Sequence, residues 1–356
     1  MPGKVRKIYR VAGLAPERYY GVHNNNVENL FRALSERVFN VVKDGVLQPP
    51  RAPREGAFDV GMKEFERGFY PSVRSTAKLT AEQFVEEYKG RKHTIYAQAA
   101  KSLETDPVGV RDAELGSFVK AEKILLKKCT AFEMLEDPCP RVIQPRDPRF
   151  NVEVGRYLKP LEKKIFGILR GMSQTNIPMV MKGFNALDTG RIMKRKWDRF
   201  NQPVAIGLDA NRFDQHISAD ALKWEHKMYR AFYKHDKYFK WLLSMQIDNV
   251  GRAKMPDGYI KYAKTGSRMS GDMNTSLGNC LIMCACIYQF VNQAGIEKWE
   301  LANNGDDCVL IVEADEYYKV AELEQHMNLY GFDVSAPTGH RSTMFPDNSD
   351  DIACSR

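Results

Sequence analysis

A chain of 356 residues is long enough for two or three packed subdomains, and its 43% hydrophobic and 28% charged content supports a sizeable core. The net charge of +8 points to a polyanionic partner or an anionic membrane surface. The longest apolar run, Cys280 to Val291, is too short to span a bilayer, and MPGKVRKIYR at the start has no apolar signal-peptide core.

Apolar residues at helical spacing predict a first helix around Val27 to Val42. The Pro-rich stretch QPPRAPREG at 48–56 reads as a linker or a pinned loop. Helical patterns resume at 80–105, with Thr80 as N-cap, and at 111–121. From Cys139 to Pro160 the prolines at 140, 145, 148 and 160 argue against a long helix and predict an extended or looped segment. Helix returns near Leu161–Met172 and Arg191–Phe200. Residues 141–200 carry 14 Lys and Arg against 5 Asp and Glu, a local net of +9, so the remainder sums to −1. A basic excess confined to sixty residues resembles a binding channel more than a generally basic surface.

Beyond 200 the texture changes. VAIGL at 204–208 predicts a strand ending at Asp209, with Asp214 five residues on. A helix follows over Ala219–Phe232, then a hairpin over 249–264 about Pro256-Asp257-Gly258. RMSGDMNTSLGN (268–279) enters an apolar helix, and 300–312 reads as strand, turn, strand with NNGDD at the turn. A helix over Tyr317–Tyr330 precedes an aperiodic tail, 335–356, predicted to be disordered. The seven cysteines include no paired CxxC spacing. Cys280 and Cys284 read as buried thiols in a reducing, intracellular setting.

Asp306 and Asp307 form either a solvated surface turn or a cation site. If the strand ending at Asp209 neighbours the strand after Asp307, two or three carboxylates meet, which is unfavourable unless cations neutralise them. Mg²⁺ suits oxygen ligands, and two metals about 4 Å apart serve phosphoryl transfer. If the strands are not neighbours, these are separate turn residues. Thr275 and Asn279 share a helix face and are either satisfied by core partners or aimed at a ligand. Arg156 and Lys159 are either a solvated basic loop or a triphosphate clamp.

DANRFD, SGDMNTSLGN and NGDD, in that order, resemble motifs A, B and C of viral RNA-dependent RNA polymerases. QPRDPRFNVEVGRYLKP resembles their motif F. GVHNNNVENLFRALSERVF, GLDANRFDQHIS and RMSGDMNTSLGNCLIM extend the likeness to the tombusvirus-like group of positive-strand RNA viruses, over most of residues 1–333. The resemblance implies an α+β right-hand fold. Helical fingers would cover 1–200, an antiparallel-sheet palm 201–334 with a fingers insertion at 219–268, and an aberrant or disordered tail 335–356 would stand in place of the thumb.

The resemblance also implies template-directed RNA synthesis with NTPs, an RNA template and product, no DNA, and two Mg²⁺ ions with Mn²⁺ as substitute. Asp209 and Asp306 would hold the metals, with Asp307 assisting. Asp214 and Asn279 would read the ribose, helped by Ser270, Gly271 and Thr275, and Arg156 and Lys159 would bind the triphosphate. It further implies a membrane-targeting viral replication protein as partner, at replication sites in the host cytoplasm. The competing readings are an RNA-binding fragment without polymerase activity, a reverse transcriptase and a structural or coat role. Asp214 argues against the second, because those enzymes resemble one another in carrying a bulky aromatic gate at that position.

Overall fold

Residues 5–8, 19–126, 137–234 and 236–335 are described by the computed structural model; of the tail predicted over 335–356, Ser335 falls in a strand and the rest lies outside them. Strand β1 (Tyr19–Gly21) leads into α1 (Val27–Leu34), where the Asn26 side chain accepts the Asn29 N–H. A π-helical stretch, Ser35–Phe39, carries the helix on, but the predicted run to Val42 ends in a strand. There β2 (Val41–Lys43) and β3 (Val46–Gln48) form a hairpin with Asp44 and Gly45 left-handed at its turn. The Pro-rich stretch is pinned, since the Arg54 N–H donates to the Leu329 carbonyl at 2.7 Å.

After α2 (Lys63–Phe69), the predicted helix over 80–105 is two helices, α3 (Ala81–Glu86) and α4 (Arg91–Leu103), parted at Gly90 with φ 58°. Thr80 caps the first in a reciprocal box with Gln83. No helix forms over 111–121. A 3₁₀ turn gives way to β4 (Leu115–Gly116) and β5 (Phe118–Val119), followed by β6 (Ile124–Leu126) and β7 (Val142–Ile143).

The largest correction is α5, an unbroken helix over Pro148–Met172 where prolines predicted an extended segment. Pro148 sits in the first turn, where a missing N–H costs nothing. Pro160 loses one internal bond, but the helix buries Phe150, Val154, Tyr157, Leu158, Leu161, Ile165 and Leu169 in the main core. That burial outweighs one lost hydrogen bond.

The second half holds α6 (Ala186–Trp197), β8 (Pro203–Ala210), α7 (Phe213–His216), α8 (Ala219–Arg230) and α9 (Lys237–Ser244). The predicted hairpin is β9 (Asp248–Met255) with β10 (Gly258–Thr265). Then come α10 (Thr275–Gln293), β11 (Trp299–Asn303), β12 (Asp307–Glu313), a 3₁₀ stretch over Ala314–Glu322, α11 (Leu323–Leu329) and β13 (Val334–Ser335). The helix predicted over Tyr317–Tyr330 is thus half 3₁₀.

Four strands form an antiparallel sheet in the order β11-β12-β8-β13. Along β8, Ile206, Leu208 and Ala210 are buried while Asp209 is exposed, the period of two expected of a sheet with one covered face. The cover includes α10, which buries Cys280, Leu281, Ile282, Met283 and Cys284 completely, as expected for these cysteines. The architecture is α+β, and β9 joins it to the first half by pairing in parallel with β4. Among the described residues no helix is long and apolar enough to cross a membrane.

Candidate active site

The antiparallel register of β8 and β12 sets Asp307 directly opposite Asp209. Facing residues in such a pair have Cβ atoms about 4.5–5.5 Å apart. Asp306 occupies the turn before β12, made possible by Gly305 at φ 98°. Asn303 braces that turn: its side chain accepts the Gly305 N–H at 3.1 Å and donates to the Gly305 carbonyl at 2.8 Å. The three carboxylates are exposed at one end of the sheet. Partial burial raises the pKa of the Asp307 carboxyl, and the charges of Asp306 and Asp209 raise it further, while Lys182 acts in the opposite direction. The cluster therefore repels itself, the electrostatic condition that favours cations.

Asp214 lies on α7, where α10 meets the same end of the sheet. The Asn279 side-chain amide donates to its Oδ1 at 2.7 Å. Burial pushes the Asp214 pKa up; the Asn279 hydrogen bond and Arg268 pull against it, and the charge of Asp306 adds to the rise. Asp209, Asp214, Asp306 and Ser270 line one cleft of about 590 Å³ together with Arg37, Arg141 and Arg212. Asp209 and Asp307 also line a second, larger cavity of about 1060 Å³ with Lys182 and Gly207.

Ser270 and Gly271 belong to a loop built against β7 and the residues just after it. The Gln144 N–H donates to Ser270 Oγ at 3.1 Å, and a Cβ on Gly271 would lie 2.6 Å from Pro145 Cα, so no larger residue fits. Beneath the loop Arg146 and Asp272 form a fully buried ion pair at 2.5 Å. The single Thr275 hydroxyl proton is shared between the carbonyls of Met269 and Asp272, 3.0 and 2.9 Å from Oγ1, so the hydroxyl braces the loop.

Arg156 and Lys159 are not brought into the cleft. Both stand on α5, because the segment is helical and not a loop. The Arg156 guanidinium is spent on the Leu79 carbonyl at 2.9 Å and on Glu153 at 2.8 Å. Lys159 lies 5.1 Å from the Tyr88 ring centroid and lines a separate cavity with Ser270, Gly271 and Asp272. Besides Lys182 and the buried Arg268, the cations that share a cavity with the carboxylates are Arg37, Arg141 and Arg212. Two had a signal in the sequence: Arg141 opens the basic window and Arg212 stands between Asp209 and Asp214.

Among the described residues no three acidic, histidine or cysteine side chains converge into a ready-made metal cage. Mg²⁺ is commonly held by one or two carboxylates, waters and substrate phosphates instead. Opposed carboxylates beside an arginine-lined cleft fit that chemistry: acidic groups for the cation, basic groups for its phosphate.

Acidic groups that could hold a cation and arginines that could hold an anion are joined at one end of the antiparallel sheet. The family description of viral RNA-dependent RNA polymerases matches residues 1–342, and the chain belongs to that family. It is 45% identical over 333 residues to the RNA-directed RNA polymerase of Tobacco necrosis virus (strain A), covering 93% of this chain and 44% of that protein. Identity is 46% over 338 residues with the enzyme of Tomato bushy stunt virus (strain Cherry), covering 94% of this chain and 40% of that protein. With that of Cucumber necrosis virus it is 47% over 311 residues, covering 87% and 37%. The chain thus spans less than half the length of these relatives.

Proposed function

We propose that the chain catalyses template-directed RNA synthesis, joining an NTP to an RNA 3′-hydroxyl. The observation that carries this is the register that opposes Asp307 to Asp209 with Asp306 at the adjoining turn, beside a cleft lined by Arg37, Arg141 and Arg212. The sheet β11-β12-β8-β13 is the palm, and residues 1–200 with 219–268 are the fingers. The parallel pairing of β9 with β4, which ties these two parts together, supports that division.

Attack on an α-phosphate calls for positioning and charge neutralisation more than for covalent help from the protein. Asp209 and Asp306 would hold two Mg²⁺ ions, or Mn²⁺, with Asp307 as a supporting charge. When bound, these ions neutralise charge on the attacking and leaving oxygens. Arg37, Arg141 and Arg212 hold the triphosphate. Asp214, oriented by Asn279, accepts the ribose 2′-hydroxyl, and a sugar lacking that group leaves the pair unsatisfied. Ser270 and Gly271 shape the cleft wall, and Thr275 keeps their loop in place. The basic window follows RNA phosphates without reading sequence.

In the cell the partners are an RNA template and product, with a membrane-targeting viral replication protein that brings the chain to cytoplasmic membranes. Family membership and the positive charge support this reading. The test is incorporation of labelled NTP on an RNA template with Mg²⁺ or Mn²⁺, by wild type and Asp306→Ala in parallel. Incorporation by wild type alone is expected; equal incorporation by both overturns the assignment.

A further inference from the structure

Beneath the cleft lies a chain of fully enclosed polar groups that contact no substrate in the reading above. Glu225 on α8 and Arg268, in the segment after β10, form an ion pair with both side chains wholly buried. Glu225 Oε1 also accepts the Asn274 amide at 2.6 Å, and Asn274 in turn accepts the Gln246 amide at 2.9 Å. On its other side Arg268 Nε donates to Asn279 Oδ1 at 3.2 Å. The route across α10 exists because residue 278 is glycine. A Cβ there would overlap both the Arg268 guanidinium and the Glu225 carboxylate.

Two left-handed residues, Gly266 and Ser267 at φ 75° and 64°, turn the chain so that Arg268 enters this slot. The Arg268 N–H then donates to the Asp214 carbonyl at 2.8 Å. A guanidinium has donors and no acceptor. Asn279 must therefore present its oxygen to Arg268, which leaves its NH₂ for Asp214. Flipped, the amide would set donor against donor on one side and oxygen against carboxylate on the other.

We infer that the Glu225–Arg268 pair, admitted by Gly278, is a positioning device that locks Asn279 as the donor to Asp214 and thereby sets discrimination between ribo- and deoxyribonucleotides. The inference rests on the ribose reading of Asp214 and Asn279. Burying an ion pair contributes little net stability, so the arrangement is better explained by the orientation it imposes.

The test is the ratio of kcat/KM for ATP to that for dATP on a primed RNA template, measured on the full chain with melting temperatures in parallel. Arg268→Lys keeps a charge beside Glu225 but gives up the lateral Nε donor. Its ratio should fall about tenfold or more, through a raised KM for ATP. Asn279→Ala should lose a similar factor, and the double variant should lose no more than Asn279→Ala alone, because Arg268 acts through Asn279.

A folded Arg268→Lys variant with the wild-type ratio overturns the inference, as does a double variant that loses the product of the two single effects. Where Arg268→Lys fails to fold, Glu225→Gln carries the same expectation and the same refutation. If Asp214→Ala collapses discrimination while Arg268→Lys keeps it, the ribose reading stands and the inference alone falls. If Asp214→Ala leaves the ratio unchanged, or the wild-type chain incorporates no nucleotide, the reading beneath the inference falls and takes it along.

Discussion

Replacing Arg146 by methionine isolates one support of the site without touching the cleft. Arg146 and Asp272 are 0% and 1% exposed, and their ion pair is 2.5 Å long. Arg146 also donates to the Ala113 carbonyl at 2.7 Å and to Asn249 Oδ1 at 2.6 Å. Methionine restores volume but leaves the Asp272 carboxylate buried without its counter-charge, a change that costs about 3–5 kcal/mol. The Ala113 and Asn249 acceptors and the Met245 carbonyl, which Arg146 reaches at 3.2 Å, add about 1 kcal/mol each where water cannot reach them. The loss should register in urea unfolding as a lower midpoint at unchanged slope. Arg146→Met/Asp272→Leu removes both charges and should recover at least half of the single-variant loss, a coupling that only a direct pair produces. A single variant within about 1 kcal/mol of wild type, or a double variant equal to the sum of the singles, refutes the reasoning.

Asp306→Asn should reduce incorporation by roughly 10²–10³ or more, and Asp307→Asn by clearly less; equal losses in a nucleotide-incorporation assay would contradict the ranking. In metal-free buffer at pH 7, Asp307→Asn should melt above wild type. The folded Asp307 carboxyl holds its proton more tightly than the unfolded one, chiefly through partial burial and then through Asp306 and Asp209. Ionising it therefore weakens the fold as pH rises above the ordinary carboxylate range, and the advantage of the variant should vanish near pH 3. Scanning fluorimetry across pH checks this, and adding Mg²⁺ should raise wild type more than the variant. Arg141→Ala should raise the KM for NTP about 10–100-fold, the worth of a charged hydrogen bond, while Arg156→Ala should leave it unchanged; steady-state kinetics of the two decide between them.

What was legible in the sequence and what was not divide along a physical line. The strand at 204–208 and the strand, turn, strand at 300–312 were readable because short apolar runs bounded by turn residues are local signals, and Asn304, Gly305 and Asp306 announce a left-handed glycine. Once the two strands pair, the covered face sends Asp209 outward, and an antiparallel partner places Asp307 across from it. The acidic half of the site is therefore written in two short windows. The basic half is not. Arg37 comes from the π-helical stretch after α1, Arg141 from the edge of β7 and Arg212 from the left-handed residue before α7, and only tertiary packing brings them together.

The same limit explains α5. Two prolines argue locally against a helix, but the apolar side chains it buries decide the matter, and that burial depends on α2, α9 and α10, remote in sequence. Moving 148–160 from loop to helix displaced Arg156 and Lys159 from the cleft and left Arg141, just before β7, lining it with the carboxylates. Gly278 follows the same logic from the other direction. In sequence it is an ordinary interruption of an apolar helix; in space it is the opening through which a buried arginine reaches Asn279. A residue whose role is to be absent carries no local signal, so the orientation of Asn279 becomes visible only when α8, α10 and the segment after β10 are seen packed together.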